Sequence, residues 1–364
     1  MIVAERPDAR PAPADEPADE RAALFARLRD LRAKFPTIVS SNYDVSDTCN
    51  LSCEGCLYFS GINYTKLQGK RTVTEWERLF AAEAERGINF GYFAGAEPSL
   101  VPGILRAASR HLRTGMIATN GIKRIPEDIR YRIHVSLWGD EAASRELRGA
   151  DNGPKALRNY QGDDRAIAVY TISRRNIDQI VPVSRMCADH GVPITFNYFS
   201  PTDDYQARLA GSVTSESDYF HASSSEDNLA LTPADLLRAH EAIAEARSRH
   251  PDAIWYSLDY DRWITSGEPL YRLDAEGIAI DCGNRVSPAH RHINADLTIS
   301  TGKCCSPNID CRECRAYLQG YATLLSRLRT FSKQPRDFRM WLDVWELWMR
   351  LFLLPEHRGE GAVR

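Results

Sequence analysis

Short apolar runs alternate with amphipathic stretches along residues 38–201. The runs are rich in β-branched and aromatic residues, so we predict strands at 40–45, 91–94, 115–119, 132–137, 166–172 and 193–199. The stretches between them have the period of a helix, which predicts helices at 73–86, 101–111, 141–147 and 178–190. Such alternation is typical of right-handed βαβ units and a parallel sheet. Six units are too few for a closed eight-stranded barrel, so we predict an α/β fold, a partial (β/α)6 TIM-like barrel with ligands at the carboxyl ends of its strands.

The regions around this core have other patterns. Pro, Ala and acidic residues dominate 1–19, which predicts a disordered tail before a short helix at 22–34. The polar stretch 200–231 is predicted to be a lid or a disordered excursion. We therefore divide the chain into a tail and helix, a core, a connecting segment, a small C-terminal cysteine-rich extension and terminal helices, at 1–37, 38–231, 232–275, 276–320 and 321–364.

Two further elements are predicted after the core. Thr232 and Pro233 are a helix-start signal, and the helix should end near residue 249, before a strand-like piece at 254–260. Large aromatic residues recur at helical spacing over 338–354. We interpret this segment as a helix docked on the body of the protein, with a membrane surface or a dimer contact as alternatives.

Composition and charge exclude several classes of function. The 364 residues are 43% hydrophobic and 26% charged, which is the globular range. A net charge of -3 provides no basic field for nucleic acid. The longest apolar stretches are too short for a membrane span, and the first residues have no signal-peptide pattern. We therefore predict a cytoplasmic protein, in which the nine cysteines are reduced rather than paired in disulfides.

Three cysteines form a first cluster, Cys49, Cys53 and Cys56, directly after the first predicted strand. Three thiolates at this spacing can hold three irons of a 4Fe-4S cluster and leave the fourth iron open to another ligand. The alternatives are a zinc site completed by a distant His or Asp, or cysteines that only pack.

The run DTCNLSCEGCLYF resembles the cluster motif of the radical S-adenosylmethionine (radical SAM) enzymes, and the resemblance covers about residues 38–201. AGAEP at 94–98 is similar to the family's Gly-Gly-Glu-Pro motif, ATNGIK places Asn120 and Gly121 after the third predicted strand, and HVSLWGDEAASRELRG spans the fourth strand and an Arg-Gly segment. The resemblance implies that SAM is bound by Gly95, Ala96, Glu97, Asn120, Ser136 and Tyr58. It also implies a reduced 4Fe-4S cluster that cleaves SAM to a 5′-deoxyadenosyl radical. Many members have an aromatic residue before the third cysteine; this chain has Gly55, and Tyr58 or Phe59 is expected to replace it.

Five more cysteines lie between residues 282 and 314, and the run LTISTGKC resembles the β-hairpin entry to the auxiliary-cluster (twitch or SPASM) extension of these enzymes. Five cysteines favour one auxiliary 4Fe-4S cluster, as in the shorter twitch form. The preferred ligands are Cys282, Cys304, Cys311 and Cys314, with Cys305 as the spare and the choice between Cys304 and Cys305 open.

A structural zinc site is the alternative, since four cysteines are also a zinc signature and two histidines lie in the segment. We expect His290 and His292 to be surface or hydrogen-bonding residues rather than ligands. Cys187, which is isolated in the sequence, is expected to be a small buried hydrophobe.

The motifs define how the reaction starts but not its product. Because an auxiliary cluster can accept an electron, we expect net oxidation of a small polar substrate of natural product biosynthesis, such as a sugar, aminocyclitol or nucleoside. The electron donor is expected to be a flavodoxin or ferredoxin. The alternatives are a peptide-modifying maturase that crosslinks or epimerises, and a non-catalytic metal-binding scaffold. No catalytic residue stands out, but strand-end residues are candidate substrate contacts: Arg174, Asn197 and Tyr198.

Overall fold

The computed structural model describes residues 18–35, 37–59, 71–150, 152–211, 224–267, 269–300, 304 and 309–358. The predicted disordered tail lies almost wholly outside these residues, as do residues 212–223 of the predicted lid and Cys305.

One parallel sheet forms the centre of the protein. Its strands are Ser40–Asp44 (β1), Phe90–Ala94 (β2), Thr114–Thr119 (β3), Arg132–Leu137 (β4), Ala166–Ile172 (β5), Ile194–Tyr198 (β6) and His292–Ile293 (β7). Their order is β6-β5-β4-β3-β2-β1-β7, and every pairing is parallel. The first six strands confirm the predicted α/β core, and their mostly buried residues are typical of a parallel sheet covered on both faces.

Helices connect and cover the strands. They are Ala18–Lys34 (α1), Val73–Glu85 (α2), Pro102–Ser109 (α3), Glu141–Arg148 (α4), Gly153–Tyr160 (α5), Ile180–Asp189 (α6), Asp203–Leu209 (α7), Pro233–Arg249 (α8), Leu258–Ile264 (α9), Gly283–Val286 (α10), Tyr317–Ser326 (α11), Leu328–Phe331 (α12) and Pro335–Phe352 (α13). Capping boxes start α2 at Thr72 and α8 at Thr232, where each threonine and the acidic residue three positions later satisfy each other's backbone N–H groups. These caps explain why both helices begin where the sequence predicts.

The predicted strand at 254–260 is wrong. Only Ile254 bridges to Ile194 of β6, and α9 starts at Leu258. The Ser257 side chain accepts a hydrogen bond from the Tyr260 backbone N–H and so caps the helix. The aromatic residues that suggested a strand are instead used for packing, because Tyr260 stacks on Tyr321 with ring centroids 4.3 Å apart.

The last turn of α13 packs against the sheet where β4 begins. The buried Arg132 guanidinium donates to the backbone carbonyls of Arg350 and Leu353, at 2.9 and 2.7 Å. His134, two residues further along β4, contacts the Leu351 carbonyl at 2.9 Å. The interpretation of 338–354 as a docked helix is therefore confirmed, and β4 side chains hold its end. Within the part of the chain that the structure describes, no helix has the length and apolar character to cross a membrane.

Candidate active site

A cavity of about 270 Å³ lies at the carboxyl ends of the strands. It brings together side chains from the cluster loop and from β2 to β6. Its lining includes Cys49, Cys53, Cys56, Tyr58, Gly95, Ala96, Glu97, Asn120, Ser136, Asn197 and Tyr198. Eleven of the predicted first-site and substrate residues therefore face one space, as the parallel topology requires.

The loop that carries the three cysteines is docked on the end of α4. The Glu54 backbone N–H donates to the Leu147 carbonyl at 2.8 Å, and the Ser52 N–H contacts the Arg148 carbonyl at 3.4 Å. Gly55 has a φ of +57°, and a Cβ there would lie 2.9 Å from the Phe199 ring. The aromatic residue that the family resemblance leads one to expect at this position would therefore be strained and would clash. The ring of Phe199, which lines the cavity, occupies the adjacent space.

Arg148 is a site residue whose role the sequence analysis did not assign. Its Nε lies 3.3 Å from Cys53 Sγ and its Nη1 donates to the Ser136 carbonyl at 2.6 Å. The guanidinium also lies 5.9 Å from the centre of the Trp138 ring, in a cation–π arrangement. The side chain is thus fixed at a cysteine of the cluster loop. The Arg-Gly segment is the sequence pattern that could have indicated this role of Arg148.

Glu97 holds the loops after β2 and β3 together. Its Oε1 accepts from the Ser99 N–H at 2.9 Å and from the Thr119 hydroxyl at 2.6 Å, and its Oε2 accepts from the Asn120 N–H at 2.8 Å. The carboxylate is almost fully buried, so these bonds replace its hydration. Gly95, with a φ of +112°, allows the β2 loop to pass close to β1, since a Cβ there would lie 2.9 Å from the backbone of Val45 and Ser46.

The donor set of the cluster loop fits an iron-sulfur cluster. Burial raises the pKa of Cys49 to about 11 and that of Cys56 to about 12. Both thiols are therefore protonated at neutral pH without metal, and iron must displace those protons when it binds. The Asn120 amide lies 3.8 Å from Cys49 Sγ and Arg148 contacts Cys53, so two of the sulfurs already have polar neighbours that would stabilise thiolate charge.

The predicted substrate contacts have different surroundings. Asn197 lines the cavity, but its Oδ1 accepts from the Tyr317 N–H at 3.0 Å. Tyr198 also lines it, but its hydroxyl donates to the buried Asp261 carboxylate at 2.7 Å. Arg174 does not line the cavity: the chain turns outward after β5, and its Nε pairs with Asp235 of α8 at 3.0 Å. The expectation that Arg174 faces substrate is therefore corrected.

The second cysteine cluster lies next to the sheet edge formed by β7. Burial raises the pKa of Cys282, Cys311 and Cys314, and that of Cys314 reaches about 12. The neighbouring Cys304 sulfur raises the pKa of all three further. The other three preferred cysteines are thus each within electrostatic reach of Cys304. In the described ranges, no group of three or more His, Cys, Asp or Glu side chains could hold a single metal ion. Four cysteine thiols are the number of protein ligands that a 4Fe-4S cluster normally takes, with each cysteine on a different iron.

The first turn of α11 separates the two cysteine clusters. Tyr317 and Gln319 line the cavity, and the Gln319 Nε2 lies 3.9 Å from Cys304 Sγ. Tyr317 is held at its hydroxyl by His134 Nδ1, at 2.8 Å. Because His134 Nε2 must donate to the Leu351 carbonyl, its Nδ1 accepts and the Tyr317 hydroxyl donates. The Gln319 side chain therefore reaches from the cavity lining to a sulfur of the second cluster.

The two histidines of this segment hydrogen-bond, as expected, but they are buried rather than at the surface. His290 Nδ1 lies 3.2 Å from the Ser40 carbonyl, and His292 lies between Asp44 and the Cys304 carbonyl. Cys187 is fully buried among hydrophobic residues of the core, in agreement with its expected role.

Comparisons with known proteins agree with this fold. No protein-family model matches the chain. The sporulation killing factor maturation protein SkfB of Bacillus subtilis is 24% identical over 168 residues, which are 42% of this chain and 40% of SkfB. Streptococcus suis SuiB has a similar structure, with a TM-score of 0.51 at 15% identity over 77% of this chain and 64% of SuiB. SuiB bound to precursor peptide SuiA gives a TM-score of 0.50 at 13% identity, over 84% and 68%.

The chain thus matches less than half the length of SkfB and about two thirds of that of SuiB. The core fold, the cavity at its strand ends and the three-cysteine loop facing that cavity are those expected from the sequence motifs. The motifs resemble those of the radical SAM superfamily and the fold resembles that of SuiB, so the sequence motifs and the fold point in the same direction.

Proposed function

We propose that this chain is a radical SAM maturase that modifies a peptide. The observation that carries the proposal is the single cavity shared by the three-cysteine loop and the Glu97 network. The relative SkfB is named as a maturation protein, and SuiB, which has a similar fold, binds a precursor peptide. Both findings favour the peptide alternative over the small polar substrate that the sequence analysis placed first.

The residues of the first site have distinct tasks in this proposal. Cys49, Cys53 and Cys56 hold the cluster, and Glu97 with Asn120 shapes the adjoining pocket for the methionyl amino group of SAM. When bound, the cluster and SAM supply one electron and a 5′-deoxyadenosyl radical that removes a hydrogen atom from the substrate. Arg148 donates a charged hydrogen bond toward Cys53 and so helps to set the charge balance at the cluster.

The second cysteine cluster is proposed to hold one auxiliary 4Fe-4S cluster of the twitch or SPASM kind. Its ligands would be Cys282, Cys304, Cys311 and Cys314. The thin wall of Tyr317 and Gln319 suits passage of an electron from a substrate radical in the cavity to this cluster. Such a step would make the overall modification an oxidation of the peptide. A flavodoxin or ferredoxin of a reducing cytoplasm remains the predicted electron donor.

The experiment that tests the proposal starts with anaerobic reconstitution, followed by addition of SAM and dithionite. Two 4Fe-4S clusters correspond to about eight irons per chain, and 5′-deoxyadenosine should appear. Cys56→Ala should abolish cleavage of SAM. The matched control is Cys187→Ala, which removes a buried thiol outside the site and should retain both iron and cleavage. If the wild-type protein forms no 5′-deoxyadenosine, the proposed activity is refuted.

The substrate class is tested in the same assay. A randomised peptide pool should raise 5′-deoxyadenosine formation above the substrate-free rate, and mass spectrometry should find peptides that have lost hydrogen. A parallel panel of monosaccharides, aminocyclitols and nucleosides should not raise it. Acceleration by that panel alone would refute the peptide proposal and leave the radical SAM chemistry intact.

A further inference from the structure

His292 has an unusual position at the edge of the sheet. It lies on the two-residue strand β7 and is fully buried. Its Nε2 is 2.7 Å from the Asp44 Oδ2, and its Nδ1 is 2.5 Å from the backbone carbonyl oxygen of Cys304. A carboxylate and a carbonyl can only accept hydrogen bonds, so both ring nitrogens of His292 donate. The imidazole ring therefore joins the end of β1 to the backbone of a cysteine in the second cluster.

This connection holds the backbone of Cys304 to the sheet. On the protein side, the Cys304 backbone is held by His292, and its sulfur is approached by Gln319 at 3.9 Å. Asp44 is also the last residue of β1, five positions before Cys49 of the first cluster. The two cysteine clusters are thus placed relative to the same strand.

We propose that His292 is a positioning residue for the auxiliary cluster: by donating to both Asp44 and the Cys304 carbonyl, it fixes Cys304 as the fourth ligand. The inference rests on the proposed auxiliary cluster and deepens it. Without His292, the Cys304 carbonyl loses this donor, and the link that holds its backbone to Asp44 of β1 is broken.

His290 provides a matched control in the same segment. It is also buried, lies only two residues away, and uses its Nδ1 for the Ser40 carbonyl at 3.2 Å. The same Nδ1 lies 3.5 Å from the Ser40 hydroxyl, so both of these contacts of His290 are with β1 rather than with Cys304. Substitution of His290 should therefore reproduce any general disturbance of the segment without removing the link to Cys304.

The test compares the reconstituted wild-type chain with His292→Gln and His290→Gln. Iron and sulfide are counted, and the reduced clusters are recorded by electron paramagnetic resonance, with the SAM-sensitive signal of the first cluster as the internal reference. In His292→Gln we expect iron to fall from about eight toward about four per chain, with loss of the SAM-insensitive signal. In His290→Gln we expect about eight irons and both signals. Cys282→Ala, which removes a proposed ligand, gives the reference for complete loss.

Three outcomes refute the inference in distinguishable ways. Equal iron and unchanged signals in His292→Gln would refute the positioning role alone. Equal loss in both histidine variants would show a general effect on the segment. About four irons with bound zinc in the wild type would refute the auxiliary cluster itself. If His292→Gln does not fold, Asp44→Asn tests the same link from its other end, and retention of about eight irons there would also overturn the inference.

Discussion

Replacing Glu97 by glutamine should destabilise the protein by an amount that the hydrogen-bond geometry predicts. The carboxylate accepts three buried bonds, two at Oε1 and one at Oε2. A glutamine amide has one acceptor oxygen, so its NH2 group faces at least one of these donors. The arrangement that costs the least free energy keeps the hydrogen bonds from Ser99 and Thr119 to the amide oxygen. The side-chain NH2 group then faces the Asn120 N–H, which is left without an acceptor.

The magnitude follows from this arrangement. The two remaining bonds lose their charge assistance, at about 1 kcal/mol each, and an unpaired buried N–H costs about 1–3 kcal/mol. Glu97→Gln should therefore lower the free energy of unfolding by about 3–5 kcal/mol. If the carboxylate also binds the methionyl amino group, the affinity for SAM should fall by about 10- to 100-fold.

Anaerobic urea unfolding of the reconstituted proteins measures the first quantity, and titration of the cluster signal with SAM measures the second. Glu241→Gln, an exposed glutamate on α8, is the matched control and should change neither. A loss of stability below about 1 kcal/mol in Glu97→Gln would contradict the view that this carboxylate anchors the two loops. If Glu97→Gln loses stability but keeps its affinity for SAM, the carboxylate anchors the two loops but does not bind SAM.

Three further predictions concern the same cavity. Gly95→Ala should destabilise the chain by about 1–3 kcal/mol from the positive φ alone, with more from overlap with the Ser46 backbone. An unchanged thermal melting temperature would contradict this prediction. Arg148→Met should lower the reduction potential of the first cluster by up to about 100 mV, because Cys53 loses a cationic donor; an unchanged redox titration would contradict this. Burial lowers the pKa of His134 to about 3, whereas an unfolded chain has a value of about 6.5, so the unfolded state binds the proton as the pH falls. Stability from this group should decrease by about 2 kcal/mol between pH 7 and 5, and His134→Gln should remove that part of the slope; equal slopes in the two proteins would refute it.

The core strands were predictable because they are buried on both faces, so their apolar sequence identifies them without knowledge of the strands that they pair with. Ala166–Ile172 is apolar except at Thr171, and every residue in it is buried. The strand β7 was not predictable, because two residues carry no periodicity. His292 and Ile293 become a strand only through pairing with Asn42 and Tyr43, some 250 positions earlier.

The site was predictable where motif residues are close in sequence, and less so where contacts are distant. The three cysteines and Glu97 lie on loops directly after predicted strands, so topology alone places them together. The contact between Arg148 and Cys53 joins residues 95 positions apart. The prediction for Arg174 was wrong for a local reason. Its position after a strand end suggested that it faces the cavity, but it pairs instead with the carboxylate of Asp235 in the capping box of α8.

The closure of the sheet by the end of α13 has a consequence for biosynthesis. The contacts of His134 with Leu351 and of Arg132 with Leu353 span 217 and 221 positions. At about 5–20 residues per second, a ribosome needs roughly 10–45 s to travel between these partners. During that interval β4 has been made, but its Arg132 and His134 side chains still lack the acceptors that the end of α13 supplies. The nascent chain is therefore expected to depend on chaperone protection until its last helix emerges, and metal loading of the cavity should follow translation rather than accompany it.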